Sequence, residues 1–201
     1  MRLKSLHAFE FLRDTKKDVL SALCNANVVY RYHSITMLIN HFISQDDYMT
    51  PKSAWEAIAH LIPKDKVIWE PFYGDGTSGR FLQELGFEVI HEPIDFFVED
   101  HGDVIVSNPP FSMVKEVVQR LLVLKKPWIL LMPVQKLSTQ YFLPFNNTNL
   151  QLVIPAKRVN FTKIDEDGKV DLKKSKNCPF DCYYYFYDIK LDLPSGALLL
   201  R

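Results

Sequence analysis

The stretch Val67-Ile68-Trp69-Glu70-Pro71-Phe72-Tyr73-Gly74-Asp75-Gly76 decides how this chain is read. An apolar, β-branched run meets a proline and then a Gly-x-Gly turn, the pattern of a buried strand ending in a loop. Thr77 or Ser78 is placed to cap a helix over Gly79 to Leu85, and Gly86 to end it. A strand, a glycine turn and a helix N-terminus form a nucleotide-type site: glycines let the backbone approach the ligand, and free N–H groups face it. Phe87-Glu88-Val89-Ile90-His91 reads as a second strand with Glu92 at its end. A carboxylate there, roughly 20 residues beyond the turn, can accept hydrogen bonds from ribose hydroxyls.

Gly74-x-Gly76-x-x-Gly79 also fits the dinucleotide fingerprint, which is weak on its own. Glu70 argues against that ligand, because a carboxylate beside the turn repels pyrophosphate and attracts a cofactor bearing an amino-acid cation. A second element points the same way. Asp103-Val104-Ile105-Val106-Ser107 reads as a buried strand and runs into Asn108-Pro109-Pro110-Phe111. Each proline fixes its own φ near −65°, removes a donor and keeps the preceding residue out of helix. One amide, two acceptor-only carbonyls and one aromatic ring are thereby held close together, which suits gripping a planar amine. The bland reading is a strand-to-helix loop with a proline pair.

With these residues in view, the chain resembles the S-adenosylmethionine-dependent adenine-N6 methyltransferases of nucleic acids. The matching residues are Thr50-Pro51, Glu70-Pro71-Phe72-Tyr73-Gly74-Asp75-Gly76, Glu92, Asp95-Phe96-Phe97 and Ser107-Asn108-Pro109-Pro110-Phe111. Leu130-Leu131-Met132-Pro133 is similar to the family's fifth strand, and Ile154-Pro155-Ala156-Lys157-Arg158-Val159-Asn160-Phe161 to its target-base loop. The resemblance covers about residues 47 to 190. It implies an α/β fold, a Rossmann-like, doubly wound and mostly parallel sheet, with S-adenosylmethionine as cofactor. Glu70, Phe72, Gly74 and Gly76 would line the amino-acid end of that cofactor, with Thr50 and Pro51 closing over it. Glu92 would take the ribose, and Asp95 with Phe96 the adenine. Asn108, Pro109, Pro110 and Phe111 would be the catalytic element, and Phe161 would support the target base. A helix-cap or turn role is the plain alternative for Asp95, and a surface strand end the one for Glu70.

The implied chemistry needs alignment more than a strong base. The adenine amine is a poor nucleophile because its lone pair is delocalised, and orientation alone can supply roughly 7–11 kcal/mol. Positive charge growing on nitrogen is met by the Asn108 side-chain oxygen and the Pro109 carbonyl, while Phe111 stacks on the base. A base in a duplex must be flipped out or already unpaired. The same motif with tyrosine at its last position serves glutamine-amide methylation of proteins; here that residue is Phe111. Adenine in RNA and a catalytically silent nucleic-acid-binding subunit are further alternatives, with DNA favoured.

At 201 residues and 47% hydrophobic, the chain can bury a full core. It contains no 18-residue apolar run, so no membrane span is expected. Met1 to Lys17 is too charged for a secretory signal. Cys24, Cys178 and Cys182 make no disulfide framework. Cys178-x3-Cys182 is half a metal site with no second pair nearby, so no metal is expected, and reduced thiols suit an intracellular protein, cytoplasmic, nuclear or in a host cell.

Net charge is zero, but the segment from Lys157 to Lys176 is basic. Lys157, Arg158, Lys163, Lys169, Lys173, Lys174 and Lys176 outnumber Asp165, Glu166, Asp167 and Asp171. A solvated hairpin turning at Asp167-Gly168 competes with a phosphate-gripping loop, in which Lys157, Arg158, Lys173 and Lys174 would bind substrate. Residues 1–45 read as a short N-terminal helical extension, and 46–201 as the domain carrying the motifs. Thr50 is expected to cap a helix opened by Pro51, with Trp55, Ile58 and Ile62 on one side. Strands are expected near 66–70, 87–91, 103–107, 127–132, 150–154 and 183–188, with the clearest helix from Ser112 to Lys126. The aromatics of Cys182 to Tyr187 are expected to pack the core. No separate sequence-reading domain fits after residue 46, so recognition falls to residues 1–45, to the basic segment, or to a second subunit in a homo- or hetero-oligomer.

Overall fold

The computed structural model describes residues 48–145, 148–163, 180–191 and 198–199. The expected helical extension at 1–45, Cys24, Cys178, the Asp167-Gly168 turn, Lys173 and Lys174 lie outside the described residues. The elements are β1 (Tyr48–Met49), α1 (Lys52–Ile58), β2 (Ile68–Trp69), α2 (Thr77–Glu84), β3 (Val89–Ile90), β4 (Val104–Ser107), α3 (Val114–Leu124), β5 (Trp128–Pro133), β6 (Leu150–Ile154), β7 (Thr162–Lys163), β8 (Cys182–Tyr187) and β9 (Leu198–Leu199). A 3-10 turn, Phe111–Met113, leads into α3, and two more, Val134–Ser138 and Gln140–Phe145, follow β5.

The main sheet has the order β3-β2-β4-β5-β8-β6-β9. Strands β3, β2, β4 and β5 are parallel to their neighbours; β8 runs antiparallel between β5 and β6. It is a Rossmann-like α/β sheet with one reversed strand. Both of its faces are covered, as strand parity shows. On one face Val104, Val106, Ile129, Leu131, Tyr184 and Phe186 pack with Trp55 and Ile58 of α1 and Leu82 of α2. On the other, Tyr185 meets Phe142 at 5.6 Å and Trp128 meets Phe145 at 5.3 Å between ring centroids. Buried on both sides, β5 reads as the continuous run Trp-Ile-Leu-Leu-Met-Pro, every residue of it buried. Full burial of each such side chain stabilises the fold by about 1.5–3 kcal/mol.

Trp55, Ile58 and Ile62 share the inner face expected of them. The cap differs: Pro51 rather than Thr50 holds the N-cap of α1, its carbonyl accepting from Ala54 N. The aromatics of β8 are core, as expected. The Tyr184 hydroxyl donates to Ala54 O and the Tyr185 hydroxyl to Pro133 O, which satisfies both inside the core. Burial pushes both phenols above the ordinary tyrosine range.

The order reverses at β2: β3 lies on one side of it and β4 on the other. Ligands of open α/β sheets sit at the carboxyl ends of the strands flanking such a reversal. A two-stranded antiparallel ribbon of β1 and β7 pairs Tyr48 with Lys163 and Met49 with Thr162. Among the described residues no helix is long and apolar enough to cross a membrane.

Candidate functional site at the ends of β2 and β4

Glu70 directly follows β2 and Ser107 ends β4, and the two strands are parallel neighbours. The Ser107 hydroxyl donates a short hydrogen bond to Glu70 Oε1. Glu70 is 1% exposed, so the expected carboxylate facing a ligand cation is instead closed inside the fold. His91, just past β3, is the reason. Its Nδ1 lies 2.7 Å from Glu70 Oε2 and 2.9 Å from Glu70 O. A single N–H cannot point at both oxygens, and the ring is aligned with the backbone one, leaving Oε2 in close contact but without an aligned donor. Burial pushes the Glu70 carboxyl up, and His91, Ser107 and the Phe72 backbone N–H pull it back only in part. His91 is buried too, which works against its charge, but the carboxylate beside it holds its pKa above the ordinary histidine range.

The glycine turn follows. Gly74 and Gly76 have φ of 55° and 79°, backbone that an L side chain rarely adopts. Gly76 is the N-cap of α2, so neither Thr77 nor Ser78 caps it as expected. Asp75 substitutes: its Oδ1 accepts from Thr77 N at 2.9 Å and from Thr77 Oγ1 at 2.6 Å. Ser78 instead receives the Trp55 indole N–H at 3.1 Å, tying α2 to α1. Gly86 follows the end of α2 as predicted, its N–H on Gln83 O.

At the end of β4, Pro109 and Pro110 are buried and Asn108 and Phe111 half-buried. Asn108 Nδ2 donates to Tyr48 O at 3.3 Å. Asn108 Oδ1 is buried and has no hydrogen-bond partner among the described residues. An unmet buried acceptor of this kind costs about 1–3 kcal/mol. Pro110 O already accepts from Met113 N at 3.0 Å, starting the 3-10 turn, so of the two carbonyls expected for a ligand this one is engaged. Phe111 packs edge-on against Phe161 at 6.0 Å and Phe180 at 4.9 Å. Tyr48 meets the same two rings at 6.2 and 5.5 Å. The β1–β7 ribbon thus brings the segment before Thr50-Pro51 and the end of the 154–161 loop to the Asn-Pro-Pro-Phe element. Thr50 is buried and Pro51 half-buried at that junction.

The remaining expected site residues fall in varied surroundings. Glu92 is exposed two residues past β3. Asp95 takes the turn role: its Oδ1 accepts from Phe97 N at 2.8 Å and its backbone oxygen from Val98 and Glu99. Phe96 is 3% exposed, closed off among Trp69, Phe72 and Phe97 rather than presented to a ligand. Phe72, half-buried above it at 5.1 Å, keeps ring surface open. Arg120 of α3 fixes this loop by donating to Phe96 O, Val98 O and Glu99 O. Phe161 is 1% exposed, a core ring rather than an open base support. Lys157 is exposed, while Arg158 pairs with Asp181 at 2.8 Å.

Sequence reasoning missed His91, Ser107 as a donor to Glu70, Tyr48 and Phe180. Tyr48 and Phe180 each lie within a few residues of an expected element, but only the ribbon shows that they meet. A cavity of about 480 Å³, lined by residues including Asn149, Gln151, Asp188 and Lys190, lies at the far end of β6 and β8. It is remote from these motifs. Among the described residues no cluster of His, Cys, Asp and Glu could hold a metal ion.

No protein-family model matches the chain, and no curated protein matches it. Among solved structures it is similar to a Listeria monocytogenes protein provisionally assigned as a class I S-adenosylmethionine-dependent methyltransferase. The identity is 14%, over 80% of this chain and 68% of that one, with a TM-score of 0.39.

Proposed function

We propose that this chain is an S-adenosylmethionine-dependent methyltransferase acting on the exocyclic N6 amine of adenine in DNA. The observation that carries this reading is the buried Asn108 Oδ1, without a partner among the described residues and held by a proline pair beside a glycine turn at the sheet's reversal point. The residues present fit the cofactor: Gly74 and Gly76 offer backbone without side chains, and Phe72 offers an apolar surface next to them. Bound S-adenosylmethionine would supply a methyl group already activated by its sulfonium.

The rest falls to the chain's own residues. Asn108 Oδ1 accepts one hydrogen of the amine and the Pro109 carbonyl the other. Both acceptors gain strength as positive charge grows on the nitrogen, so they stabilise the transition state more than the ground state. Asn108 Nδ2 is held by Tyr48 O, which orients the amide oxygen-first toward the substrate. Phe111 stacks on the base, a contact worth roughly 1–3 kcal/mol. An asparagine here supplies no carboxylate base, so the methylated amine loses its proton to water. Exposed Lys157, together with Lys173 and Lys174, supplies phosphate contacts, and residues 1–45 or a second subunit supply sequence reading.

Transfer of labelled methyl to duplex DNA, single-stranded DNA, RNA and protein extract, with Asn108→Ala alongside, tests the reading. Label recovered as N6-methyladenine in DNA and lost in the variant supports it. Label found only in RNA or only in protein moves the substrate to that polymer.

A further inference from the structure

A polar cluster behind the glycine turn plays no part in the reaction as drawn above. The His91 ring stacks on Tyr73, with centroids 4.7 Å apart and planes 17° from parallel. It also fills the space that a side chain at position 79 would need: a Cβ on Gly79 would lie 2.1 Å from the ring. That explains the third glycine of the turn without any ligand. The ring is thus fixed in place while its Nδ1 sits against Glu70. Glu70 Oε1 in turn receives the Ser107 hydroxyl, and Ser107 is the residue before Asn108. His91, Glu70 and Ser107 are all at least nine-tenths buried. The chain of contacts crosses the ends of β3, β2 and β4 in order.

We propose that His91 is a positioning residue for Asn108: by holding the Glu70 carboxylate against Ser107, it fixes the amide that receives the substrate amine. The proposal rests on the reading of Asn108 as the amine acceptor. Glu70 just past β2 and Tyr73 and Asp75 from the turn face His91, and α2 presents Gly79 to it. Glu70 and Asp75 both favour the imidazolium. Protonated, the ring keeps the buried carboxylate charged, and a charged carboxylate is the stronger acceptor for Ser107. When the ring loses its proton, Glu70 loses its cationic partner, and the Ser107 contact and the following amide shift with it.

The test reads Asn108 directly in the free protein. The side-chain amide resonances of Asn108, assigned by their loss in Asn108→Asp, are followed against pH together with the His91 ring nitrogens. The amide is expected to move with the same midpoint as His91 in the wild-type chain and to stop following it in Ser107→Ala. An amide that ignores His91 in the wild-type chain, or still follows it in Ser107→Ala, overturns the proposal. Activity separates this outcome from the functional reading. His91→Gln should lower kcat between about tenfold and a hundredfold with KM little changed, and flatten the pH profile of kcat. A wild-type chain that methylates nothing, yet shows the linked titration, refutes the methyltransferase reading and leaves the positioning relay standing.

Discussion

Two neighbouring strand ends each carry a polar side chain drawn into the fold, and they are finished in opposite ways. At the end of β2, Glu70 is closed in by Ser107 and His91. At the end of β4, Asn108 donates through Nδ2 to Tyr48 O, and Oδ1 has no partner among the described residues. Both residues belong to motifs that sequence reasoning aims at a ligand. The difference lies in the third strand end. His91 past β3 brings a cation-forming ring to Glu70, whereas the prolines after Asn108 bring no donor at all. A motif carboxylate can therefore serve to lock two loops together, while a motif amide one strand away has its acceptor unmet among the described residues.

Substitutions at the two ends should separate these roles. The largest effect is expected for Asn108→Ala: kcat for methyl transfer should fall by about a hundredfold to a thousandfold, with the melting temperature nearly unchanged because the lost Nδ2–Tyr48 O hydrogen bond is offset by removing a buried acceptor that has no partner among the described residues. A large loss of stability would mean that the amide is structural. His91→Ala should combine a smaller fall in kcat with a clear loss of stability, about 3 kcal/mol in denaturant titrations, by leaving a buried carboxylate without its partner. Gly79→Ala comes next, costing about 1–3 kcal/mol as the new methyl displaces the His91 ring; an unchanged midpoint would show that the ring is not seated there.

The Glu70 end should also carry a pH signature. His91 is held above its ordinary range in the fold, so its contribution is complete below about pH 6.5 and is lost as pH rises through the raised value. Burial raises Glu70 as well, which acts in the same sense. The melting temperature should therefore fall on going from about pH 6 to about pH 9, and His91→Gln should flatten that slope. The smallest effect is expected at the exposed rim: Lys157→Ala should weaken DNA binding evenly across sequences and reduce its salt slope by about one. A change that depends on base sequence would place Lys157 at the base instead.

Much of this framework was legible because strand periodicity and glycine turns are local. All six expected strands are present, and the apolar face Trp55-Ile58-Ile62 and the helix before Lys125 are where spacing puts them. Long-range pairing was not legible. The ribbon of Tyr48–Met49 with Thr162–Lys163 is two residues long on each side, too short for any alternation to announce it. Leu198–Leu199, outside every expected strand, supplies β9 at the edge beside β6. The reversed direction of β8 follows from connectivity rather than from its aromatic composition. At the site, the placement of Asn108 at the end of β4 was legible because two prolines fix its surroundings locally. Glu70 was misread because its partner, His91, lies across the sheet, and a sequence does not say which carboxylates find a cation. Phe96 and Phe161 were likewise assigned to ligands when their rings complete the core.

The central claim is that the unpartnered oxygen of Asn108 receives the amine of adenine. The most direct measurement is transfer of labelled methyl from S-adenosylmethionine to an adenine-containing DNA duplex, wild type against Asn108→Ala, with the product nucleosides separated. The account predicts N6-methyl-2′-deoxyadenosine from the wild-type chain and its loss in the variant. Label incorporated equally by both, or found on a base other than adenine, would contradict it.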